Sequence, residues 1–151
     1  MDKNALRALI PDESRLRFDE DIAPEYLSDT LGRLRGKASA LVFVRSTEEV
    51  SAVMKYAYAR NIPVTPRGAG TNLVGSTVPL DGGIILDLSQ MNRVLELDAD
   101  TMTVTVEPGL LLQDLQAYVE ARGLFYPPDP GEKTASIGGN ISTNAGGMRA
   151  V

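Results

Sequence analysis

The chain has 151 residues, with 15 Lys and Arg against 20 Asp and Glu, a net charge of −5, and no His, Cys or Trp. That length suits one domain or part of one, and a content of 43% hydrophobic and 23% charged residues excludes a disordered tail or a collagen-like repeat. Missing cysteines remove disulfides, thiolate chemistry and iron–sulfur ligation, missing histidines remove the commonest general base and most zinc sites, and the acidic balance argues against nucleic acid.

The opening Met1-Asp2-Lys3-Asn4-Ala5-Leu6-Arg7 has no signal-peptide apolar centre. No apolar run approaches the roughly 18 residues that cross a bilayer. The expectation is a cytoplasmic protein.

In chain order, the first 35 residues mix charges with apolar pairs such as Leu9-Ile10 and Tyr26-Leu27, and read as short helices and turns. Ala40 to Val44 is a continuous apolar run, as in a strand buried on both faces. Ser46-Thr47-Glu48-Glu49 is a capping box, with Ser46 accepting from the Glu49 N–H and the Glu49 side chain reaching back. Val50, Val53, Met54, Ala57 and Tyr58 then give one apolar helical face, and Asn61 can close the helix in a left-handed conformation.

A second extended run begins at Ile62-Pro63-Val64-Thr65, so the unit is strand, helix, strand, with parallel strands and a right-handed crossover. Gly83 to Leu88 reads as a third buried strand. Val94 to Leu97 and Met102 to Val106 flank Asp98-Ala99-Asp100-Thr101 as a hairpin. A second helix spans 110–122, with Gly123 as its stop, and the stretch from Tyr126 onward is expected to be loop.

Two stretches stand apart, 66–79 and 134–149. Neither holds an Asp or Glu, and together they carry 7 of the 14 glycines. Glycine lets the backbone approach a ligand and take positive φ, so that successive N–H groups converge on an anion. A pyrophosphate brings about two negative charges, and each unpaired carboxylate a few ångströms away would cost on the order of 1–4 kcal/mol. Backbone donors avoid that without lysine.

Standard nucleotide motifs fail here. A dinucleotide fingerprint starting at Gly68-x-Gly70 needs glycine at 73, which is Leu73. Gly70 and Gly75 have P-loop spacing, but Ser76-Thr77 stands where Lys followed by Ser or Thr is required. Singly, the residues are ambiguous. Arg67 is a ligand contact or a surface ion pair. Asn72, Asn140 and Asn144 are ligand donors or turn residues bonding their own backbone. Asp129, in the rigid Tyr126-Pro127-Pro128-Asp129-Pro130-Gly131, is a turn residue or a polar handle.

Pro66-Arg67-Gly68-Ala69-Gly70-Thr71, Pro128-Asp129-Pro130, and Ser136-Ile137-Gly138-Gly139-Asn140 with Thr143-Asn144-Ala145-Gly146-Gly147 resemble the PCMH-type FAD-binding domain of the vanillyl-alcohol-oxidase superfamily. Within it they resemble the glycolate oxidase GlcD and D-lactate dehydrogenase branch. The resemblance runs from about Tyr26 to Val151.

It implies an α+β fold: a first subdomain with a small parallel or mixed sheet flanked by helices, then the start of a second, antiparallel one. Residues 1–35 would be an N-terminal helical or irregular segment and 36–151 the N-terminal part of the FAD-binding domain. By the resemblance, Pro66, Arg67, Gly68, Ala69, Gly70, Thr71, Asn72, Gly75 and Ser76 would hold the pyrophosphate. Pro128, Asp129, Ser136, Gly138, Gly139, Asn140, Thr143, Asn144, Gly146 and Gly147 would line the flavin and ribityl side. Thr71 stands where some members carry a flavin-linking His, so FAD is expected to be non-covalent.

The implied activity is oxidation of a D-2-hydroxy acid, D-lactate or glycolate, by hydride transfer from the α-carbon to flavin N5. Family members continue into a cap that supplies substrate ligands. The chain therefore reads as an N-terminal fragment, inactive alone, with no catalytic residue to name and no metal. Partners implied are the small acid and an electron-acceptor protein or subunit, the latter placing the enzyme peripherally at the inner membrane. Alternatives are a UDP-N-acetylenolpyruvoylglucosamine reductase-like or alditol oxidase activity, or a non-catalytic scaffold or interaction module keeping the FAD-binding fold.

Overall fold

A four-stranded sheet and a two-stranded hairpin organise the chain in the computed structural model, which describes residues 1–149. Ala150 and Val151, the last residues of the 36–151 assignment, lie outside the described residues. The sheet comprises β1 (Leu16–Phe18), β2 (Ala40–Phe43), β3 (Val64–Arg67) and β4 (Ile84–Asp87), in the order β1-β2-β4-β3. β4 runs parallel to both β2 and β3, and so lies between the two strands that precede it in the chain. β1 pairs antiparallel with β2, with Leu16 opposite Val42. The sheet is therefore mixed.

β2 and β4 are buried on both faces, as their unbroken apolar runs require. Val42, Ile84 and Leu86 pack with Leu6 and Ile10 next to helix α1 (Lys3–Leu9), and with Val53, Tyr56 and Ala57 of helix α2 (Thr47–Tyr58). Leu41 and Ile85 point the other way, onto Ile22, Tyr26 and Leu27. Each such side chain contributes roughly 1.5–3 kcal/mol by leaving water. Residues from the first 35 thus seal both faces.

α2 starts as its sequence predicts, with Ser46 Oγ accepting from the Glu49 N–H at 3.3 Å. The Glu49 carboxylate does not return to Ser46. It accepts from the Arg45 N–H at 2.8 Å and takes Arg15 in a bidentate pair at 2.7 and 2.9 Å. A charge-assisted fork outcompetes a single backbone N–H. At the far end Asn61 takes φ +51, and the Ile62 N–H bonds the Ala57 carbonyl at 3.0 Å.

The second unit begins with the antiparallel hairpin β5 (Val94–Asp98) and β6 (Thr103–Val106), turned by Asp98 Oδ1 accepting from the Asp100 and Thr101 N–H groups. Helix α3 (Leu112–Glu120) buries Leu112, Leu115 and Val119 together with Val94, Leu97, Val104 and Val106. Gly123 follows in the left-handed region at φ +73. The stretch after Tyr126 departs from the sequence reading by forming a helix, α4 (Ile137–Ser142). Two adjacent glycines disfavour helix locally, and tertiary contacts override that preference.

Candidate functional site

β3 leaves the sheet at Gly68, where the first glycine-rich stretch begins. Gly70 sits at φ +74, and a Cβ there would overlap the Arg67 guanidinium, so the turn needs glycine twice over. Asn72 braces the loop that follows. Its Oδ1 accepts from the Val74 and Ser76 N–H groups at 3.2 and 3.1 Å, and its Nδ2 donates to Thr77 Oγ1 at 2.9 Å. The local reading of Asn72 therefore describes its side chain. The backbone N–H groups of Gly68, Gly70, Thr71 and Asn72 have no protein acceptor among the described residues.

The second stretch behaves differently. Ser136 caps α4, accepting from the Gly139 N–H at 3.3 Å. The Ile137 and Gly138 N–H groups bond the Leu110 and Pro108 carbonyls, each at 2.8 Å, and the Asn140 N–H bonds the Ser136 carbonyl at 2.9 Å. Free amides are thus found at the 68–72 turn but not at Ile137 to Asn140, which spend theirs on their own helix and on the chain ahead of α3. That exchange also serves α3, whose Leu112 and Gln113 N–H groups bond the Ala135 and Lys133 carbonyls. Asn144 ends α4 at φ +50, while the Asn140 side chain has no hydrogen-bond partner among the described residues.

Ser136 Oγ also accepts from the Ala69 N–H at 3.4 Å, joining the stretches across 67 residues of sequence. Between them lies one hollow of about 500 Å³. Pro66, Arg67, Gly68, Ala69, Gly70, Thr71, Asn72 and Ser76 line one side, and Ser136, Gly138, Gly139, Asn140 and Thr143 the other. Gly75, Pro128, Asp129, Asn144, Gly146 and Gly147 are not in that lining. Asp129 is buried, paired with Lys133 and with Arg149 at 3.4 Å, and its carbonyl packs against Gly147. The Pro128 carbonyl accepts from Gln116 Nε2 at 3.3 Å.

The lining includes residues that the sequence did not single out, among them Thr30, Leu88, Pro108 and Glu132. Thr30 donates its hydroxyl to the Gly70 carbonyl at 3.2 Å, a contact 40 residues apart with no local signal. Glu132 breaks the acid-free pattern. Its Oε1 accepts from the Thr134 N–H at 2.9 Å and from the Thr134 hydroxyl, and these bonds hold its carboxyl below its ordinary pKa.

Arg67 is the cation of the hollow, and the reading of it as a surface ion pair does not fit. It is 8% exposed and has no salt-bridge partner among the described residues. Its guanidinium donates to the Glu25 carbonyl at 3.1 Å and to Thr77 Oγ1 at 3.4 Å, and lies over the Tyr26 ring. Burial holds it below its ordinary pKa, against the pull of Asp87, Tyr26 and Glu25. Asp87, register-paired with Arg67 across β3 and β4, is pushed up by burial, opposed by hydrogen bonds from Ser89 and by the Arg67 charge. Sequence reasoning missed Asp87, whose signal is an acid ending an apolar strand.

The arrangement can accept an anion: open amides, one buried cation and neutral hydroxyl and amide side chains. No cluster of residues that could hold a metal ion occurs among the described residues, and no helix there is long and apolar enough to cross a membrane.

A family model described as FAD binding domain matches residues 38–151. The chain is 47% identical over 139 residues to the D-lactate dehydrogenase of Anaerostipes hadrus, covering 91% of this chain and 29% of that protein. It is 41% identical over 138 residues to the glycolate oxidase subunit GlcD of Bacillus subtilis, covering 91% of this chain and 28% of the relative. An alkyldihydroxyacetonephosphate synthase structure superposes with a TM-score of 0.82 at 23% identity, covering 97% of this chain and 33% of that one. The chain thus spans less than a third of the length of the two relatives and about a third of the solved structure.

Proposed function

The chain belongs to the FAD binding domain family, and on that premise we propose that it is the FAD-binding part of a D-2-hydroxy-acid dehydrogenase or oxidase. The observation that carries the site is the turn at Gly68–Asn72, which lines a hollow shared with Ser136 and Asn140 beside a buried arginine and leaves the N–H groups of Gly68, Gly70, Thr71 and Asn72 without a protein acceptor among the described residues. That donor set fits a diphosphate, which needs several N–H groups converging on it and tolerates no unpaired acid nearby. Pro66 to Asn72 with Ser76 would hold the diphosphate. Asn140, Ser136, Gly138, Gly139 and Thr143 would lie along the rest of the dinucleotide.

Gly75 would support the diphosphate turn from its loop, and Pro128, Asp129, Asn144, Gly146 and Gly147, which lie outside the lining, would serve the flavin side from behind it. The functional unit runs from residue 36, braced by the first 35 residues. In this reading FAD would be held non-covalently by these residues, since Thr71 offers only a weakly nucleophilic hydroxyl where some members carry a linking His. When bound, FAD supplies the redox chemistry, accepting hydride at N5 from the α-carbon of D-lactate or glycolate. This chain's residues would bind and orient it. The electrons leave to an acceptor protein, which sets where in the cell the enzyme works.

The test is to purify the protein from its complete coding sequence and follow visible flavin absorbance and dye reduction with D-lactate and glycolate. Bound flavin released by denaturation, together with substrate-dependent reduction, is the expected result. Flavin retained with neither acid oxidised would support a scaffold, and protein that takes up no FAD would overturn the reading.

A further inference from the structure

Away from the hollow, α1 and α2 lie side by side over one face of the sheet and leave an open groove of about 880 Å³ between them. α2 turns Val53, Tyr56 and Ala57 toward the sheet. Its outer side keeps Met54 44% and Tyr58 87% exposed, apolar surface that nothing among the described residues covers. Ala5 and Ala8 of α1 and Ser51 and Ala52 of α2 give the groove a low floor, which leaves room for another helix at the roughly 8–10 Å axis separation of close packing.

The groove is also bipolar. Glu48 lines one end, and Lys55 and Arg60 line the other. None of the three forms an ion pair among the described residues. Glu48 and Lys55 stand two helical turns apart on one stripe, and the midpoint between them falls between Ser51 and Ala52.

We propose that this groove is the interface of a homodimer, in which α2 of a second copy lies antiparallel along it about a two-fold axis level with Ser51 and Ala52. The order of charges identifies the occupant. A helix that fits must carry a cation opposite Glu48 and an acid opposite Lys55, and α2 itself, reversed in direction, does so. One rotation sets Glu48 of each copy against Lys55 of the other and each Ser51 beside its counterpart, where small side chains permit close approach. The same step takes Tyr58, beside that stripe, out of water. This goes beyond the FAD reading and does not rest on it, since none of these residues lines the hollow at the 68–72 turn.

The experiment uses protein from the complete coding sequence and measures dimer dissociation by sedimentation equilibrium. It compares wild type, Glu48→Lys, Lys55→Glu, the double variant with both exchanges, and an equimolar mixture of the two single variants. Wild type is expected to dimerise. Each single exchange puts like charges together twice across the axis and should weaken the dimer about tenfold or more. The double variant restores opposite charges and should recover within about threefold of wild type. The mixture should pair likewise, because one variant brings two acids and the other two bases. Oxidation of Ser51→Cys should link two chains in high yield, whereas Asp100→Cys, on the exposed hairpin turn, should link few. Flavin absorbance and melting of the variants should match wild type.

Wild-type protein that stays monomeric overturns the proposal. So does a dimer indifferent to the exchanges, which would place the interface elsewhere. Weak association that persists in both the double variant and the mixture also overturns it, because the loss would then lie in the fold. A thiol at position 51 that neither links chains nor reacts with a soluble alkylating reagent would show the remainder of the same chain covering the groove, and again overturns it. Wild-type protein that dimerises as described but takes up no FAD overturns the FAD reading alone.

Discussion

The Arg67 guanidinium lies over the ring of Tyr26, 5.0 Å from its centroid, and donates to the carbonyl of the neighbouring Glu25. Glu25 and Tyr26 precede the residues matched by the family model at 38–151, so the cation of the hollow is held in part from ahead of that matched stretch.

Replacing Arg67 with Met should keep the aliphatic packing while removing the one positive charge that lines the hollow among the described residues. We expect FAD affinity to fall about tenfold or more, as for loss of a charge-assisted contact. Replacing Tyr26 with Leu should cost less, roughly threefold, because it removes only the aromatic face and about 0.5–1 kcal/mol. Equilibrium titration of flavin-stripped protein checks both.

Gly70→Ala should destabilise the protein by about 1–3 kcal/mol, because its φ of +74 is strained for any side chain and the added carbon meets Arg67. Flavin occupancy should fall with it. Urea denaturation and the absorbance ratio of purified protein measure the two effects separately. Unchanged values in both would mean that this turn is more pliable than its geometry indicates.

Glu49→Gln tests the pair that ties the N-terminal segment to α2. Hydrogen bonds from Arg15 hold the Glu49 carboxyl below its ordinary pKa, so its stabilisation is complete above the unfolded value and is lost as pH falls through the lowered folded value. Arg15 is 6% exposed and would be left with no charged partner closer than Asp12 at 3.5 Å. We expect a loss of about 2 kcal/mol at neutral pH. The gap from wild type should narrow as the solution is acidified below the ordinary carboxylate range. Denaturation curves at several pH values read it directly.

Leu115→Ala should cost about 2–5 kcal/mol, the range for emptying a leucine site in a closed core. Leu115 is 1% exposed and packs where α3 meets the hairpin. Because α3 and the chain leading into Ser136 cap each other through Leu112, Gln113 and Leu110, flavin binding should weaken as well. Thermal melting with and without FAD checks this.

What the sequence disclosed was governed by neighbours along the chain. The unbroken run Ala40–Val44, the Ser46 cap, left-handed Asn61 and the Asp98 turn each rest on residues within a few positions. β1 was not legible, since Leu16-Arg17-Phe18 is too short to carry a period and becomes a strand only by lying beside β2. α4 was hidden by Gly138-Gly139, and forms because Ser136 caps it while Pro108 and Leu110 accept its first amides. For the site, the glycine stretches were legible as compositional islands. Thr30 and Pro108 reach the hollow only through the closed fold, and Glu132 sits outside both islands.

The insertion of β4 between β2 and β3 also sets an order of assembly. On the ribosome, Val64–Arg67 has no sheet neighbour to dock against until Ile84–Asp87 has been synthesised, because that later strand is its only partner in the sheet among the described residues. Until then the nascent chain carries unpaired apolar edges, the kind of intermediate that chaperones shield. The Gly68 turn, hung from the end of β3, can take its final shape only after that docking.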